Sequence, residues 1–447
     1  MYMQQNLTEG PITKKLIMFS LPLMAGNILQ QLYNIVDTLI VGRVLGEVAL
    51  GAVGASFTLM TFLNSIIIGL CMGSSAYFSM QYGKRDFDRL RQSVFVAFLA
   101  IGMAALVING LVYAGIDEIL WFLRVPEVSV QMMREYLLYI FAGILAVFLY
   151  NFLANLLRAV GNSFVPLLFL GMSTILNILL DLLFVLQLDM GVGGAAVATV
   201  ISQYVSALGL LLYYLKKCPE LWVHREYRKW NGHILQEIAG LSGLTCVQQS
   251  IMNFGILMVQ GLVNSFGTAV MAAFTAAVKI DAFAYAPVQD FGNAFSTFVA
   301  QNYGAKNEER IKKGVKSAGL MAIIFCVCIS ALVCIFAEPL MKIFVKAEQV
   351  EIIRIGVEYL HIEGACYVGI GLLFLFYGYY RAMNRPGVSV VLTVISLGTR
   401  VVLAYVLSAI PGIGETGIWV AIPIGWALAD IAGAMMMKQK IYNRDFN

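Results

Sequence analysis

The sequence predicts an all-α, polytopic membrane protein with about twelve transmembrane helices, arranged as two six-helix halves. Of its 447 residues, 60% are hydrophobic and only 13% are charged, whereas about a quarter of the residues in a soluble domain are charged. The apolar residues form continuous runs of helix length, without the alternation typical of a transmembrane β-barrel. Matching motifs recur between the two halves at a nearly constant spacing.

Each predicted span is an apolar run bounded by charged residues or by glycine and proline. A helix needs roughly 20 such residues to cross a bilayer. The seven cysteines lie mostly within these runs and show neither a disulfide framework nor a metal-binding spacing, so we expect no cofactor. The spans are predicted at residues 16–41, 49–79, 93–115, 132–157, 164–186, 192–215, 236–262, 270–300, 315–336, 354–380, 388–409 and 416–437.

The basic residues predict the orientation of the chain. With the N-terminus inside, the inner segments hold 22 lysines and arginines, and the outer segments hold six. Because cytoplasmic loops are enriched in these residues, we expect both termini in the cytoplasm of a multi-pass protein of the cell membrane. The sequence has no basic, aromatic-rich soluble segment, so nucleic acid is not an expected partner. The six outer residues are Arg43, Arg124, Arg134, Lys342, Lys346 and Arg354.

An internal repeat divides the chain. Tyr82-Gly83 recurs as Tyr303-Gly304, and Arg158-Ala159 recurs as Arg381-Ala382 at almost the same offset. An even number of spans separates the copies, so the halves are predicted to be parallel repeats related by an axis along the membrane normal, as in some transporters. The predicted divisions are an N-terminal half at 1–215, a cytoplasmic linker at 216–235 and a C-terminal half at 236–447.

Asp37 is the residue of the first span that most needs an explanation. A carboxylate inside a transmembrane helix costs roughly 2.5–3.5 kcal/mol on insertion scales unless other groups hold it. Asp181 lies at similar depth near the outer end of the fifth span, and Asn177 lies one turn before it on the same face. In the half-to-half alignment Asp37 matches Met258 and Asp181 matches Ala404, so the fold itself does not require the two acids.

Two further polar side chains reach the depth of these acids. Tyr33 stands one turn before Asp37, and Thr199 enters the sixth span at a comparable depth. We expect these side chains to converge on one oxygen-rich pocket, which would suit a hard cation. Alternatively, the two carboxylates share a proton, because burial and mutual repulsion favour protonation. Taken singly, each polar residue could instead serve only to hold helices together.

Other ionisable residues fall within the spans of the C-terminal half. Lys279 and Asp281 are two residues apart and point to different faces of their helix, so we expect each to find a partner on another helix. Structural ion pairs are one interpretation, and a second proton relay or a substrate-binding role is the other. The candidates are Lys279, Asp281, Asp290, Glu363 and Arg400.

Several spaced motifs carry a resemblance to a known family. They are Pro22-Leu23-Met24, Gln30-Gln31-Leu32-Tyr33-Asn34-Ile35-Val36-Asp37-Thr38 with Gly42 and Leu45-Gly46, Leu157-Arg158-Ala159-Val160-Gly161-Asn162 with Pro166, and Gln301 with Tyr303-Gly304-Ala305-Lys306 and Glu309-Arg310. With these motifs, nearly the whole chain resembles the multidrug and toxic compound extrusion (MATE) family. Its members are twelve-helix antiporters that export cationic and aromatic compounds in exchange for H⁺ or Na⁺.

The resemblance also implies roles for individual residues. These roles are taken from the subgroup of the family whose acidic site lies in the N-terminal half. Another subgroup has a glutamate in span seven, where this chain has Gln248 and Gln249, and an aspartate in span ten. The implied H⁺ or Na⁺ coupling residues are Asp37, Asp181, Asn177 and Thr199. The implied substrate pocket comprises Tyr33, Asn34, Tyr136 and Asn151, with Asn155 as an alternative to Asn151.

We therefore expect a monomeric antiporter in the lipid bilayer that exchanges small organic cations for H⁺ or Na⁺. A lipid-linked glycan flippase of the wider superfamily would need more basic residues along its cavity. A major-facilitator carrier would need a glycine-rich basic loop after span two, which the segment from Tyr82 to Asp86 does not match. A membrane-embedded enzyme has little support, because the sequence holds three histidines and no metal or nucleophile motif.

Overall fold

The computed structural model describes residues 5–122 and 127–444, and every regular element within these ranges is helical. Arg124 lies outside the described residues, as do the side chains of Arg43, Lys440 and Arg444. The helices are α1 Ile12–Val44, α2 Gly46–Lys84, α3 Phe87–Ala114, α4 Ile116–Phe122, α5 Glu127–Ile140, α6 Ile144–Ala159, α7 Phe164–Asp181, α8 Gly191–Lys217, α9 Gly232–Asn264, α10 Thr268–Gly304, α11 Glu308–Ile335, α12 Ala337–Phe344, α13 Val350–Gly364, α14 Tyr367–Ala382, α15 Pro386–Ser408 and α16 Thr416–Arg444.

The predicted all-α membrane fold is confirmed. In the described part of the chain, eleven helices are long and apolar enough to cross a membrane, and α13 with α14 supplies a twelfth span if the bent pair is counted as one. Long helices are the expected solution, because the hydrocarbon interior offers the backbone no other hydrogen-bond partners. The tenth span, predicted as continuous over 354–380, bends by 51° between α13 and α14.

The internal repeat is visible in the local backbone. Asp86 accepts a hydrogen bond from the backbone N–H of Arg89 at the start of α3, and Asn307 accepts one from Arg310 at the start of α11, both at 3.1 Å. Each cap satisfies a donor that the first helical turn leaves free. The preceding residues are left-handed in both copies, as shown by the φ of 60° at Arg85. The turns that open α3 and α11 are therefore equivalent.

Packing within each half follows the same pattern. In the first repeat α2 contacts α5 and α6, α3 contacts α6, and α7 contacts α8. In the second repeat α10 contacts α13 and α14, α11 contacts α14, and α15 contacts α16. Equivalent helices thus have equivalent neighbours. A side chain in one repeat can be compared directly with its counterpart in the other.

The chain forms two compact units that do not follow the predicted division at 1–215, 216–235 and 236–447. The N-terminal unit is formed mainly by Ala25–Cys246, and the C-terminal unit by Leu7–Met24 together with the chain from Val247 onward. The first helix of each repeat, α1 or α9, therefore begins in the opposite unit.

Local contacts explain why the start of α1 belongs to the C-terminal unit and the start of α9 to the N-terminal unit. In the N-terminal unit a Cβ atom at Gly69 would lie 2.6 Å from the backbone of Cys246, so α2 and the start of α9 pack backbone to backbone. In the C-terminal unit the guanidinium of Arg310 donates to the backbone carbonyls of Leu7 at 3.1 Å and Gly10 at 2.7 Å.

A close helix contact in the C-terminal unit gives a test of the fold. A Cβ atom at Gly378 of α14 would lie 2.5 Å from the carbonyl oxygen of Gly292 on α10. Such contacts between small residues are how helices approach closely in a membrane. We expect Gly378→Leu to destabilise the protein by about 1–3 kcal/mol, the usual cost of overpacking. Thermal unfolding in detergent measures this effect.

The matched control is Gly398→Ala on α15, where the added methyl group would meet no atom within 4 Å. Because alanine favours a helix over glycine by about 1 kcal/mol, this variant should unfold at the wild-type temperature or above it. Equal unfolding temperatures for the two variants would contradict the close packing of α10 against α14.

Candidate functional site

The predicted acids of the N-terminal unit meet where α1 and α7 approach each other. Asp181, the last residue of α7, is fully buried, and Asp37 on α1 is partly buried. The two carboxyl groups lie within hydrogen-bonding reach of each other. Within the described residues, Oδ1 of each acid is buried without a hydrogen-bond partner. Two carboxylates at such close range repel each other unless a proton or a cation lies between them.

Three neighbouring groups complete the cluster predicted from the sequence. In the amide orientation that satisfies both neighbours, Asn177 donates to Oδ2 of Asp181 at 3.0 Å and accepts from the hydroxyl of Thr199 at 3.3 Å. The hydroxyl of Tyr33 lies 3.1 Å from the hydroxyl oxygen of Thr199. α1, α7 and α8 are therefore joined by one chain of hydrogen bonds that begins at an acid.

Tyr136 of α5 also belongs to this cluster. Its side chain is buried, and it is close enough to interact electrostatically with both Asp37 and Asp181. The oxygen atoms gathered here, from carboxylates, an amide and hydroxyls, are ligands that suit a hard cation. Among the described residues no group of three or more His, Cys, Asp or Glu side chains could hold a metal ion.

The backbone changes character immediately after Asp181. Residues Leu182–Gln187 form a π-helix, so the hydrogen-bond register of α7 shifts directly beyond the acid. π-Helical segments are rare, and they occur mostly at functional positions inside helices. No sequence signal predicted this segment, because its residues are as apolar as those of α7.

Two further pocket candidates of the N-terminal unit, Asn151 and Asn155, have side-chain amides that donate within their own helix. The amide of Asn151 donates to the carbonyl of Val147 at 2.9 Å, and the amide of Asn155 donates to the carbonyl of Asn151 at the same distance. Both amides therefore bond within α6. Asn34 is partly buried beside Tyr33 on α1. The place of Asn151, Asn155 and Asn34 in a substrate pocket stays a prediction.

In the C-terminal unit the structure separates Lys279 from the acids. The ammonium group of Lys279 is exposed and lies 6.0 Å from the centre of the Phe344 ring, a cation–π contact. Within the described residues it makes no ion pair, so the expected pairing with a carboxylate is wrong. The lysine instead faces away from its helical neighbour Asp281, as a spacing of two residues requires. Asp290 lies beyond Pro287 on α10, and its role stays a prediction.

Asp281 and Glu363 come together in a second buried cluster, and the partly buried Arg400 lies within electrostatic range of it. Asp281 is 1% exposed, and its carboxylate accepts hydrogen bonds from the hydroxyls of Tyr359, at 2.6 Å, and Tyr367. Glu363 is 3% exposed, and its carboxyl group lies within hydrogen-bonding reach of Asp281. Arg400 interacts electrostatically with both acids. Within the described residues, however, its guanidinium makes no salt bridge and its Nε has no hydrogen-bond partner, so the expected ion pairing of Arg400 stays a prediction.

Sequence reasoning missed the two tyrosines that donate to Asp281. A signal was available for one of them, because Tyr136 and Tyr359 are separated by the same offset as Arg158 and Arg381 of the repeat. Tyr367 has no tyrosine counterpart at this offset, since the equivalent residue is isoleucine. Only the packing of α14 against α10 places its hydroxyl on the acid.

Comparisons with known proteins agree with this duplicated architecture. A family model described as MatE matches the chain twice, at residues 22–183 and 245–406. Probable multidrug resistance protein YpnP of Bacillus subtilis (strain 168) is 30% identical over 438 residues, which cover 96% of this chain and 95% of that protein. Probable multidrug resistance protein NorM of Thermotoga maritima is 26% identical over 422 residues, covering 92% of this chain and 88% of that one.

Solved structures share the fold. The outward-facing structure of a multidrug resistance MATE family transporter of the MOP superfamily superposes with a TM-score of 0.92 at 23% identity, covering 98% of this chain and 97% of that one. Fold and comparisons together define a polytopic membrane transporter built from two helical repeats. The chain belongs to the MatE family, which confirms the family resemblance noted in its sequence.

The hydrogen bond between Tyr33 and Thr199 can be tested directly. Tyr33→Phe removes only the hydroxyl, and a neutral hydrogen bond contributes about 1 kcal/mol to stability. We expect a destabilisation of that size in a thermal or denaturant unfolding curve of the purified protein. Tyr405→Phe is the control, because its hydroxyl makes no bond within the described chain and the side chain is 50% exposed. If both variants matched the wild type, Tyr33 would not support the cluster.

Proposed function

We propose that this protein is a secondary active antiporter that exports cationic or aromatic drugs or metabolites in exchange for H⁺ or Na⁺. The observation that carries the proposal is the buried pair formed by Asp37 and Asp181, in which Oδ1 of each acid lacks a partner within the described chain. A fold does not need such a pair, because the second repeat has Met258 and Ala404 at the matching positions. An exchangeable positive charge between the acids accounts for it.

The same residues suit either coupling ion. A proton would be shared between the carboxyl groups of Asp37 and Asp181, which reduces their repulsion. A sodium ion would draw on both acids and on the oxygens of Asn177 and Thr199, which lie 3.3 Å from each other. Both ions neutralise the same negative charge, so the two choices give the same electrostatic mechanism.

In the mechanism that follows, ion binding weakens substrate binding. When the acids are ionised, the pocket is negative and favours a cationic substrate. When one H⁺ or Na⁺ enters from outside, it cancels one of the two negative charges and the affinity for the cation falls, so the substrate is released outward. The coupling is reciprocal, because the bound substrate must weaken the binding of the ion by the same factor.

The relatives support the substrate class. YpnP and NorM are named as probable multidrug resistance proteins, and MepA of Staphylococcus aureus, 24% identical over 437 residues, as a multidrug export protein. The chain itself has 27 phenylalanines and 21 tyrosines, which supply rings for stacking and cation–π contacts with flat organic cations. Small organic compounds are therefore the proposed cargo.

We propose further that the protein acts as a monomer in the cell membrane with both termini in the cytoplasm. The orientation is supported by the excess of lysine and arginine in the predicted inner segments, 22 against six in the outer segments. In this orientation Asp37 and Asp181 lie in the outer half of the membrane, on the side from which the coupling ion enters.

Two other functions compete with this proposal. A lipid-linked glycan flippase would transport a large anionic cargo, for which the acid pair at Asp37 and Asp181 is unsuitable. An enzyme would have to turn over a substrate in the membrane. Flipping of a labelled lipid-linked glycan, or hydrolysis of any substrate by the purified protein, would favour these alternatives.

The decisive variant is Asp37→Asn. We expect it to abolish export, a loss of at least tenfold, while the protein still reaches the membrane, because the amide cannot change its charge with ion binding. Efflux of a fluorescent organic cation from proteoliposomes measures this activity. The matched control is Asp189→Asn, because Asp189 is exposed and its φ of 48° is tolerated by asparagine. Wild-type export by Asp37→Asn would contradict the proposal.

The same assay identifies the coupling ion. A pH gradient and a sodium gradient are imposed separately, and the gradient that drives efflux in the wild type should lose its effect in Asp37→Asn. Asp189→Asn should retain the wild-type response to both gradients. Transport driven equally well without any ion gradient would indicate a facilitator rather than an antiporter.

A further inference from the structure

The segment that joins α8 to α9 is folded against the N-terminal unit. It contains two short 3₁₀-helices, Pro219–Leu221 and Arg225–Tyr227. Leu221 is 4% exposed, and its backbone carbonyl accepts a hydrogen bond from the hydroxyl of Tyr214 at 2.8 Å. The segment therefore has a defined conformation, and its exposed side chains form a defined surface.

The first turns of α3 hold this segment in place. The guanidinium of Arg91 donates to the backbone carbonyl of Glu220 at 3.0 Å and lies 5.4 Å from the centre of the Tyr227 ring. The side-chain amide of Gln92 donates to the backbone carbonyl of Lys229 at 3.4 Å. These contacts fix the backbone at both ends of the segment against the N-terminal unit.

The charged side chains that this packing leaves exposed are mostly basic. Between residues 216 and 230, five lysines and arginines and two glutamates are exposed, which leaves an excess of three positive charges. Such a cluster directly beside a transmembrane helix is attracted to a surface of anionic lipids. The basic residues are Lys216, Lys217, Arg225, Arg228 and Lys229, and the acids are Glu220 and Glu226.

Two tryptophans of the same segment are also left exposed. Trp222 is 38% exposed and Trp230 is 58% exposed, whereas Trp419 and Trp426 are buried. An indole ring has an apolar body and a polar N–H group, so it favours the boundary between the bilayer and water. The segment therefore carries both of the residue types that anchor a chain at the headgroup level.

The helices on either side place the segment at that level. The helices α3, α8 and α9 are each long and apolar enough to cross a membrane. The chain leaves the bilayer near Lys217, at the end of α8, and returns at the start of α9 near Gly232. Arg91 and Gln92, which hold the segment, lie close to the end of α3 that begins at Phe87. A short segment with these attachments lies next to the lipid headgroups.

We propose that the exposed basic and tryptophan side chains of residues 216–231, here named the linker surface, bind anionic phospholipid headgroups. The lysines and arginines attract the phosphate groups, and the tryptophans hold the segment at the boundary of the bilayer. In the orientation proposed above, the lipids are those of the cytoplasmic leaflet. The linker surface is distinct from the acid pair at Asp37 and Asp181, and its binding of lipid does not depend on the coupling ion.

An acidic soluble protein is the competing occupant of the linker surface. It would match the positive charge, but it would have to displace the lipids that surround α8 and α9 at the same level. The two exposed tryptophans favour the lipid, because their preferred surroundings are the boundary between hydrocarbon and water. The two occupants differ in whether a bilayer alone is sufficient for binding.

The test is photo-crosslinking of the purified full-length protein in phosphatidylcholine vesicles. A trace of phosphatidylglycerol or of phosphatidylcholine carries a photoreactive group next to its headgroup, and mass spectrometry locates the labelled peptides. One lysine near an anionic surface changes affinity about fivefold, so we expect the phosphatidylglycerol probe to label residues 218–231 at least about fivefold more than the other probe. Equal labelling by the two probes, or no labelling by either, overturns the proposal.

The variant Lys217→Gln/Lys229→Gln removes two of the charges from exposed positions. We expect labelling of the linker surface by phosphatidylglycerol to fall about fivefold or more, with labelling by phosphatidylcholine unchanged. The control Lys342→Gln/Lys346→Gln removes the same charge from exposed side chains elsewhere and should keep the wild-type pattern. An equal fall in both double variants would show attraction to the net charge of the protein and contradict a defined surface.

Trp230→Ser tests the contribution of the indole ring. We expect labelling of the linker surface by both probes to fall, because the segment is then held less firmly at the headgroup level. Unchanged labelling would overturn the role of the tryptophan as an anchor. Since crosslinking needs no transported substrate, its outcome is separate from that of the efflux assay. Equal labelling by the two probes, together with loss of export in Asp37→Asn, would remove the lipid site and leave the antiporter intact.

Discussion

The absence of water from the hydrocarbon interior is the constraint on which the whole structure depends. Every backbone group there must find its partner within the chain, and long helices meet this requirement. Ionisable side chains face the same restriction, and four buried or partly buried acids occur in two pairs. Asp37 lies against Asp181 in the N-terminal unit, and Asp281 lies against Glu363 in the C-terminal unit. Pairing lowers the cost of burying these acids, because each pair can share a proton.

The repeat provides one scaffold for two different clusters. The turns before α7 and α15 have the same hydrogen bonds, and equivalent helices have equivalent neighbours. Within this common frame a tyrosine is kept at Tyr136 and Tyr359, whereas Asn177 is replaced by Arg400. The acids differ as well, since Asp281 lies on α10 and Glu363 on α13. Duplication has therefore preserved the packing and altered the electrostatics.

Much of the fold could be predicted, because its strongest signal is local. Continuous apolar runs gave the spans, and the spacing of Tyr82-Gly83 and Tyr303-Gly304 gave the repeat. The convergence of Asp37, Asp181, Asn177, Thr199 and Tyr33 was also predictable, since helix periodicity and depth are readable from the chain. The π-helix after Asp181 was not, because its residues are as apolar as those of α7, and the bend between α13 and α14 was not predicted either. The exchange of the first segments of α1 and α9 between units escaped prediction too, since it depends on close contacts such as that of Gly69 with Cys246.

The sequence by itself determined the class of the protein, the number of spans, the repeat and the two acids of the first half. These features follow from the composition and periodicity of contiguous residues. The tertiary structure alone decided the partners of the second group of charged residues. It placed Lys279 over an aromatic ring and gave Asp281 two tyrosine hydroxyls from α13 and α14. The physical reason is that a partner on another helix depends on helix rotation and crossing, which no local pattern encodes.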